Sequence, residues 1–195
     1  MTDDRERHGS DDVAFESAAG HPGDPDGFER LWTPHRMAYI GGADRPTGPE
    51  PGDGCPFCRA GAGPDERGLV IGRGRLVYAL LNLYPYNAGH VLVCPYRHVA
   101  DLVDLTPEEA TEIMELTRTT MRVLRTVSAP RGFNVGMNLG QVAGAGIAAH
   151  LHQHVVPRWP GDSNFLPIIA RTRAVSELLG DTRARLAAVW PAGEG

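Results

Sequence analysis

The chain has 195 residues and a formal net charge of −5 at pH 7. Such a length suits one domain with tails and can bury a core without disulfide staples. The negative balance argues against DNA or RNA as a partner, although a local basic cleft for a small polyphosphate is compatible with it, and no apolar run is long enough to span a membrane.

Residues 1–27 begin Met1-Thr2-Asp3-Asp4-Arg5-Glu6, which does not read as a secretory signal. They are rich in Asp, Glu, Gly, Ser and Pro, and so little apolar surface cannot offset ordering entropy. A disordered acidic tail is expected there, followed by one domain with a C-terminal extension over 28–195. Phe28, Leu31, Trp32, Met37, Ala38 and Tyr39 open the ordered part, where Pro34 keeps any helix short. Loops are expected over 41–54 and 61–68, with Cys55-Pro56-Phe57-Cys58 between them. Strands are predicted over 69–71, 76–83 and 89–94. A helix follows: Thr106 caps it, Pro107 takes the first position and Glu109 completes a capping box. Ala110, Ile113, Met114, Thr117, Met121, Leu124 and Val127 recur at helical spacing until Pro130 and Gly132. Phe133, Val135, Met137 and Leu139 alternate as in a half-buried strand. A glycine-rich turn over 140–146 leads to a last strand over 148–156, and a C-terminal helix is predicted over 175–190. Sequential strands around a turn pair antiparallel. The expected fold class is therefore α+β, an antiparallel sheet with the capped helix on one face.

The chemistry concentrates in His150-Leu151-His152-Gln153-His154-Val155-Val156. In a strand, residues two apart share a face, so three imidazoles would form one line with Leu151, Gln153 and Val155 behind. Imidazole serves as nucleophile, acid/base or metal ligand near neutral pH. A metal-dependent hydrolase with all three histidines as ligands is one reading of that line. The preceding Asn138-Leu139-Gly140-Gln141-Val142-Ala143-Gly144-Ala145-Gly146 lets backbone N–H groups approach a phosphate, though hairpin loops use glycine too. Three cysteines, an odd number with Cys55 and Cys58 closely spaced, suit a reducing compartment such as the cytoplasm. Cys55 and Cys58 are half of a structural zinc site, a redox pair, or two ordinary cysteines in a turn. Cys94 reads as a small buried strand residue. Trp32, Tyr39, Phe57 and Trp159 are core aromatics or surfaces for a base, and Arg158 is a solvated arginine or a contact for a polyphosphate tail.

The 150–156 segment, together with Asn87-Ala88-Gly89-His90-Val91-Leu92-Val93-Cys94-Pro95, resembles the histidine triad family of nucleotide-binding proteins. The resemblance spans about 55–157, and Gln153 is polar where that family usually has an apolar residue. The continuation Pro157-Arg158-Trp159, with Gly161-Asp162 and Asn164-Phe165, is similar to a branch containing actinobacterial diadenosine tetraphosphate phosphorylases. The resemblance implies that His152 attacks the α-phosphorus and that His154 donates to a phosphate or leaving oxygen. It implies that His90 supports the nucleophile from the adjacent strand, that Asn82 holds ribose hydroxyls, and that Asn138 with Gly144, Ala145 and Gly146 lies at the phosphates. Hydrolases of the family often carry a glutamine where this chain has Gly146; a small residue leaves room for inorganic phosphate to attack the intermediate. Relatives complete a zinc site with histidines at the positions of His98 and His150, giving the set Cys55, Cys58, His98 and His150. The implied activity is phosphorolysis of diadenosine tetraphosphate to ADP and ATP, with a hydrolase, a nucleoside phosphoramidase and a non-catalytic nucleotide-binding protein as alternatives. A divalent cation such as magnesium is compatible with the substrate, and a homodimer or higher homo-oligomer is the family's usual state.

Overall fold

The computed structural model describes residues 51–162 and 177–192. The expected tail, the segment opening at Phe28, Trp32 and Tyr39, and the first part of the predicted C-terminal helix lie outside the described residues. All described residues belong to the unit that begins at His35.

Five strands form one antiparallel sheet: β1 (Val70–Arg73), β2 (Val77–Leu81), β3 (Val91–Pro95), β4 (Gly132–Met137) and β5 (Gln153–Arg158). Their order is β1-β2-β3-β5-β4, so β5 enters between β3 and β4, with β4 left at an edge. Every residue of β2 and β3 is buried, because both faces of the sheet centre are covered. On one face Val77, Ala79, Leu81, Val91, Val93 and Val155 meet Ile113, Val123 and Leu124 of a long helix. On the other, Tyr78, Leu80, Leu92 and Cys94 pack with Cys55, Phe57 and Ala60.

That second layer corrects the sequence reading. The cysteine turn and the loop over 61–68 are largely helical, as α1 (Pro56–Ala62) and α2 (Asp65–Gly68). Pro56 suits the first helical position, and Phe57 and Ala60 place a buried stripe on the sheet. Seven residues do not make a stable helix in isolation, so this packing holds it. Gly61, a loop signal in the sequence, marks the close approach instead: a Cβ there would lie 3.1 Å from the rings of both Tyr78 and Tyr96.

The long helix, α3 (Pro107–Ser128), has the expected capping box: the Glu109 N–H donates to the Thr106 hydroxyl at 3.2 Å, and the Thr106 N–H donates to the Glu109 carboxylate at 2.8 Å. Its buried stripe runs through Ile113, Thr117, Thr120, Val123 and Leu124. Ala110 and Met114, expected on that stripe, are exposed, because the sheet meets a strip rotated from theirs. The last helix, α4 (Leu179–Ala188), buries Leu186, and Trp190 beyond it covers Gly72, where a Cβ would overlap the indole.

Candidate active site

The ladder of β5 starts at Gln153, later than expected, so only His154 of the three histidines is a strand residue. The backbone before it is engaged elsewhere: the Leu151 N–H donates to the Val99 carbonyl at 2.6 Å, and the His150 carbonyl is taken by a side chain. The alternation survives, since Leu151, Gln153 and Val155 are all buried behind the histidines. The single line of rings does not. His152 and His154 are neighbours, with centroids 5.0 Å apart, whereas His150 turns to the cysteine helix.

His152 Nδ1 lies 2.8 Å from the His150 carbonyl oxygen. A carbonyl only accepts, so in the neutral ring Nδ1 carries the proton and Nε2 keeps its lone pair. Phe57, from α1, packs on this ring at 4.9 Å, and the side chain is buried. Burial pushes the His152 pKa down, which favours the uncharged form a nucleophile needs.

His154 is oriented by a chain of donors. The Tyr86 N–H donates to His90 Nδ1 at 3.0 Å, and the Asn82 carboxamide lies 3.3 Å from the same nitrogen. His90 Nδ1 is thus an acceptor, and in the neutral ring its Nε2–H donates to His154 Nδ1 at 2.9 Å. His154 Nε2 is left as an N–H donor, with the Asn138 carboxamide 3.4 Å away. Burial, and secondarily the charge of His152, push the His154 pKa down to about 4. The ring of Tyr86 stacks on His154 at 5.5 Å and 21°, and lies tilted against His90 at 4.8 Å and 35°. The sequence reading missed Tyr86; its only local signal is its place four residues before His90.

The ladder pairs Met137 with Gln153, so the connection carrying Asn138, Gly144, Ala145 and Gly146 leaves and returns beside the histidines. Gly144 adopts a positive φ of 87°, open to glycine at no steric cost, and Ala145 is buried. Asn82 follows β2 and holds its own loop by accepting from the Tyr84 N–H at 3.0 Å. Arg158 forms paired bonds to Asp162 and one to Asn134, and the Trp159 indole N–H donates to the Ser128 carbonyl. Both therefore do structural work. Cys94 is a buried β3 residue, as expected.

The second cluster is Cys55, Cys58, His98 and His150, whose ligand atoms all lie within 4.8 Å of one another. His150 Nδ1 is 3.4 Å from Cys55 Sγ and 3.6 Å from Cys58 Sγ, and His98 Nδ1 is 3.3 Å from Cys58 Sγ. A tetrahedral zinc with bonds of about 2.3 Å to sulfur and 2.0–2.1 Å to nitrogen requires S···N edges of about 3.6 Å. The His150 Nε2–H donates to the Pro95 carbonyl at 2.9 Å, which leaves the Nδ1 lone pair facing the thiols, where it could bind a metal. Burial pushes the His150 pKa down to about 4 and that of the Cys55 thiol up, so the ring is neutral, as a ligand must be, and a cation beside the thiol would lower its pKa. Among the described residues this is the one such group of four, and neither His152 nor His154 belongs to it. The geometry therefore overturns the reading of three histidines on one metal.

The HIT domain family model matches residues 65–161. A Mycobacterium tuberculosis (strain H37Rv) protein named AP-4-A phosphorylase is 47% identical over 192 residues, 96% of this chain and 96% of its own. The chain belongs to the HIT family. An asymmetrical bis(5'-nucleosyl)-tetraphosphatase from Schizosaccharomyces pombe is 39% identical over 93 residues, 48% of this HIT chain and 50% of that protein. Among solved structures, a Zn-bound histidine triad family protein from Mycobacterium smegmatis superposes with a TM-score of 0.55 at 28% identity, covering 69% of this chain and 91% of its own. No helix among the described residues of this HIT protein is long and apolar enough to cross a membrane.

The histidine geometry has a pH consequence. His154 has a folded pKa of about 4 against an ordinary value of 6.5. Between those values the unfolded chain binds more protons, so its contribution to stability is complete above about 6.5 and is lost as pH falls toward 4. Imidazole titration by NMR should find His154 neutral down to about pH 4, and His154→Asn should flatten the fall in unfolding free energy across that window. A His154 that titrates near 6.5 would contradict the geometry.

Proposed function

We propose that this HIT protein cleaves diadenosine tetraphosphate by phosphorolysis, giving ATP and ADP. The observation that carries the reading is the His152 Nδ1 bond to the His150 carbonyl, which frees Nε2 as a nucleophile beside the donor His154. In the first step Nε2 bonds to the α-phosphorus and the bond to the bridging oxygen breaks. ATP leaves and adenylyl-His152 remains. In the second step an oxygen of inorganic phosphate bonds to that phosphorus, the P–N bond breaks and ADP departs. One difficult displacement becomes two easier ones. His154, through its Nε2–H, donates to oxygens that gain charge, a form of help that phosphoryl-type transfer depends on. His90 fixes the proton of His154. Asn82 holds the ribose hydroxyls, and Asn138, Gly144, Ala145 and Gly146 border the phosphates. Small residues there support phosphate as the second nucleophile, as does the name of the M. tuberculosis relative. The S. pombe relative's name favours water in its place.

One assay separates the two. Incubation with diadenosine tetraphosphate should yield ADP only when phosphate is present, whereas AMP without phosphate means hydrolysis. His152→Asn should lower turnover about a thousandfold or more with little change in melting temperature. A variant that keeps substantial turnover would move the nucleophile elsewhere.

A structural zinc held by Cys55, Cys58, His98 and His150 belongs to the same proposal. It would supply no chemistry to the substrate; it would pin α1 to the segment that carries His152. The S···N spacing supports it, as does the zinc of the M. smegmatis relative. Thiolate ligands suit a reducing compartment such as the cytoplasm. Elemental analysis should find one zinc per chain. Cys58→Ala should lose that zinc and melt at lower temperature, and chelators should remove it slowly and together with unfolding.

The assembly we propose is a homodimer. β4 is a sheet edge with Val135 46% exposed, and Met114 on α3 is 53% exposed. The exposed charges of α3 are acidic in its first half (Glu108, Glu115) and basic in its second (Arg118, Arg122, Arg125). A two-fold axis that sets two copies of α3 antiparallel places opposite charges together. Light scattering should give twice the chain mass, and Val135→Lys should shift it toward the monomer.

A further inference from the structure

We infer that Tyr86 is a positioning residue for nucleotidyl transfer, acting through the His90–His154 pair. The inference rests on the reading of His154 as the donor at the reacting phosphate.

Two parts of Tyr86 act on one relay. Its backbone N–H donates to His90 Nδ1 at 3.0 Å, which places the His90 proton on Nε2 and aims it at His154. Its ring lies nearly parallel to that of His154, at 21° with centroids 5.5 Å apart, and leans on His90 at 4.8 Å. His154 is tied at Nδ1 by a single bond to His90. The Asn138 carboxamide, 3.4 Å from Nε2, is a long and weak second tether, so the ring can pivot about the His90 bond, and pivoting swings the Nε2–H away from any fixed point. A flat ring stacked on one face blocks that motion. Donors preorganised in this way act without reorganisation when the reaction occurs. The Tyr86 side chain, on the loop between β2 and β3, contacts both His90 and His154 and is half exposed. Removing it would admit water beside His154, whose neutral form depends on being buried. The aromatic ring performs this function, so phenylalanine should suffice.

The test is steady-state kinetics of the full chain on diadenosine tetraphosphate with phosphate, for Tyr86→Ala, Tyr86→Phe, His154→Asn and the double variant Tyr86→Ala/His154→Asn. Tyr86→Ala should lower kcat about tenfold or more with KM within about twofold, and Tyr86→Phe should restore kcat to within about twofold of the parent. In the His154→Asn background the further loss from Tyr86→Ala should fall below about twofold, because the two side chains act as one unit. NMR gives a readout independent of turnover: removing the ring should shift the His154 imidazole protons, and Tyr86→Phe should leave them near the parent position. If Tyr86→Ala lowers the yield of folded protein, Tyr86→Leu keeps the bulk without the stack and carries the same expectations. A parental kcat in Tyr86→Ala, a rise in KM alone, or a fully multiplicative loss in the double variant would overturn the inference. Parental activity in His154→Asn would instead overturn the donor role on which it rests.

Discussion

A carbonyl oxygen can only accept a hydrogen bond, and two carbonyls determine what the histidines of this protein can do. The Pro95 carbonyl takes the Nε2–H of His150, so that ring turns Nδ1 to the cysteines. The His150 carbonyl takes the Nδ1–H of His152, so that ring keeps the lone pair of Nε2. Neighbouring residues of the same type are thereby given opposite tautomers and separate tasks. Burial supports both arrangements, because it lowers the affinity of each ring for a second proton. His154 follows the same logic at one remove, through the Tyr86 N–H and His90.

These orientations depend on a sheet that is covered on both faces. The long helix packs on the face formed by Val77, Ala79, Leu81, Val91 and Val93. The short cysteine helix covers Tyr78, Leu80 and Cys94 on the other. Leu92, on this second face, pairs with His154, so the helix and that histidine share one side of the sheet. Phe57 of the helix touches both His150 and His152, which joins the cysteine–histidine cluster to the proposed nucleophile through a single ring. The tilt of the His152 ring is therefore coupled to whatever holds the cysteines in place.

Gln153 shows how a local exception is resolved by a distant partner. It is polar at a position that lies behind the histidines and is almost fully buried. Its carboxamide N–H donates at 2.5 Å to the hydroxyl of Thr117 on α3, and that hydroxyl donates to the Ile113 carbonyl at 2.7 Å. A buried amide without such a partner would be costly. With it, the strand bearing His154 is tied to the helix by a directional bond as well as by apolar contact.

Much of this was legible in the residues alone. The capping box at Thr106 and Glu109, the alternation that buries Leu151, Gln153 and Val155, and the antiparallel pairing of β4 with β5 are local patterns with periods of two to four residues, and chain order preserves them. The Cys55, Cys58, His98 and His150 set was legible only through family resemblance, because its members lie up to 95 residues apart. Helix α1 was missed because tertiary burial, not propensity, stabilises seven residues containing glycine and proline. Tyr86 was missed because ring stacking leaves no periodic trace. The sequence by itself determined that Leu151, Gln153 and Val155 stand behind the histidines and that a capped helix covers one face of the sheet. Only the tertiary structure decided which nitrogen of each histidine is free: the Pro95 carbonyl sets His150, His90 sets His154, and the His150 carbonyl reaches His152 in a backbone that the Leu151 N–H ties to Val99.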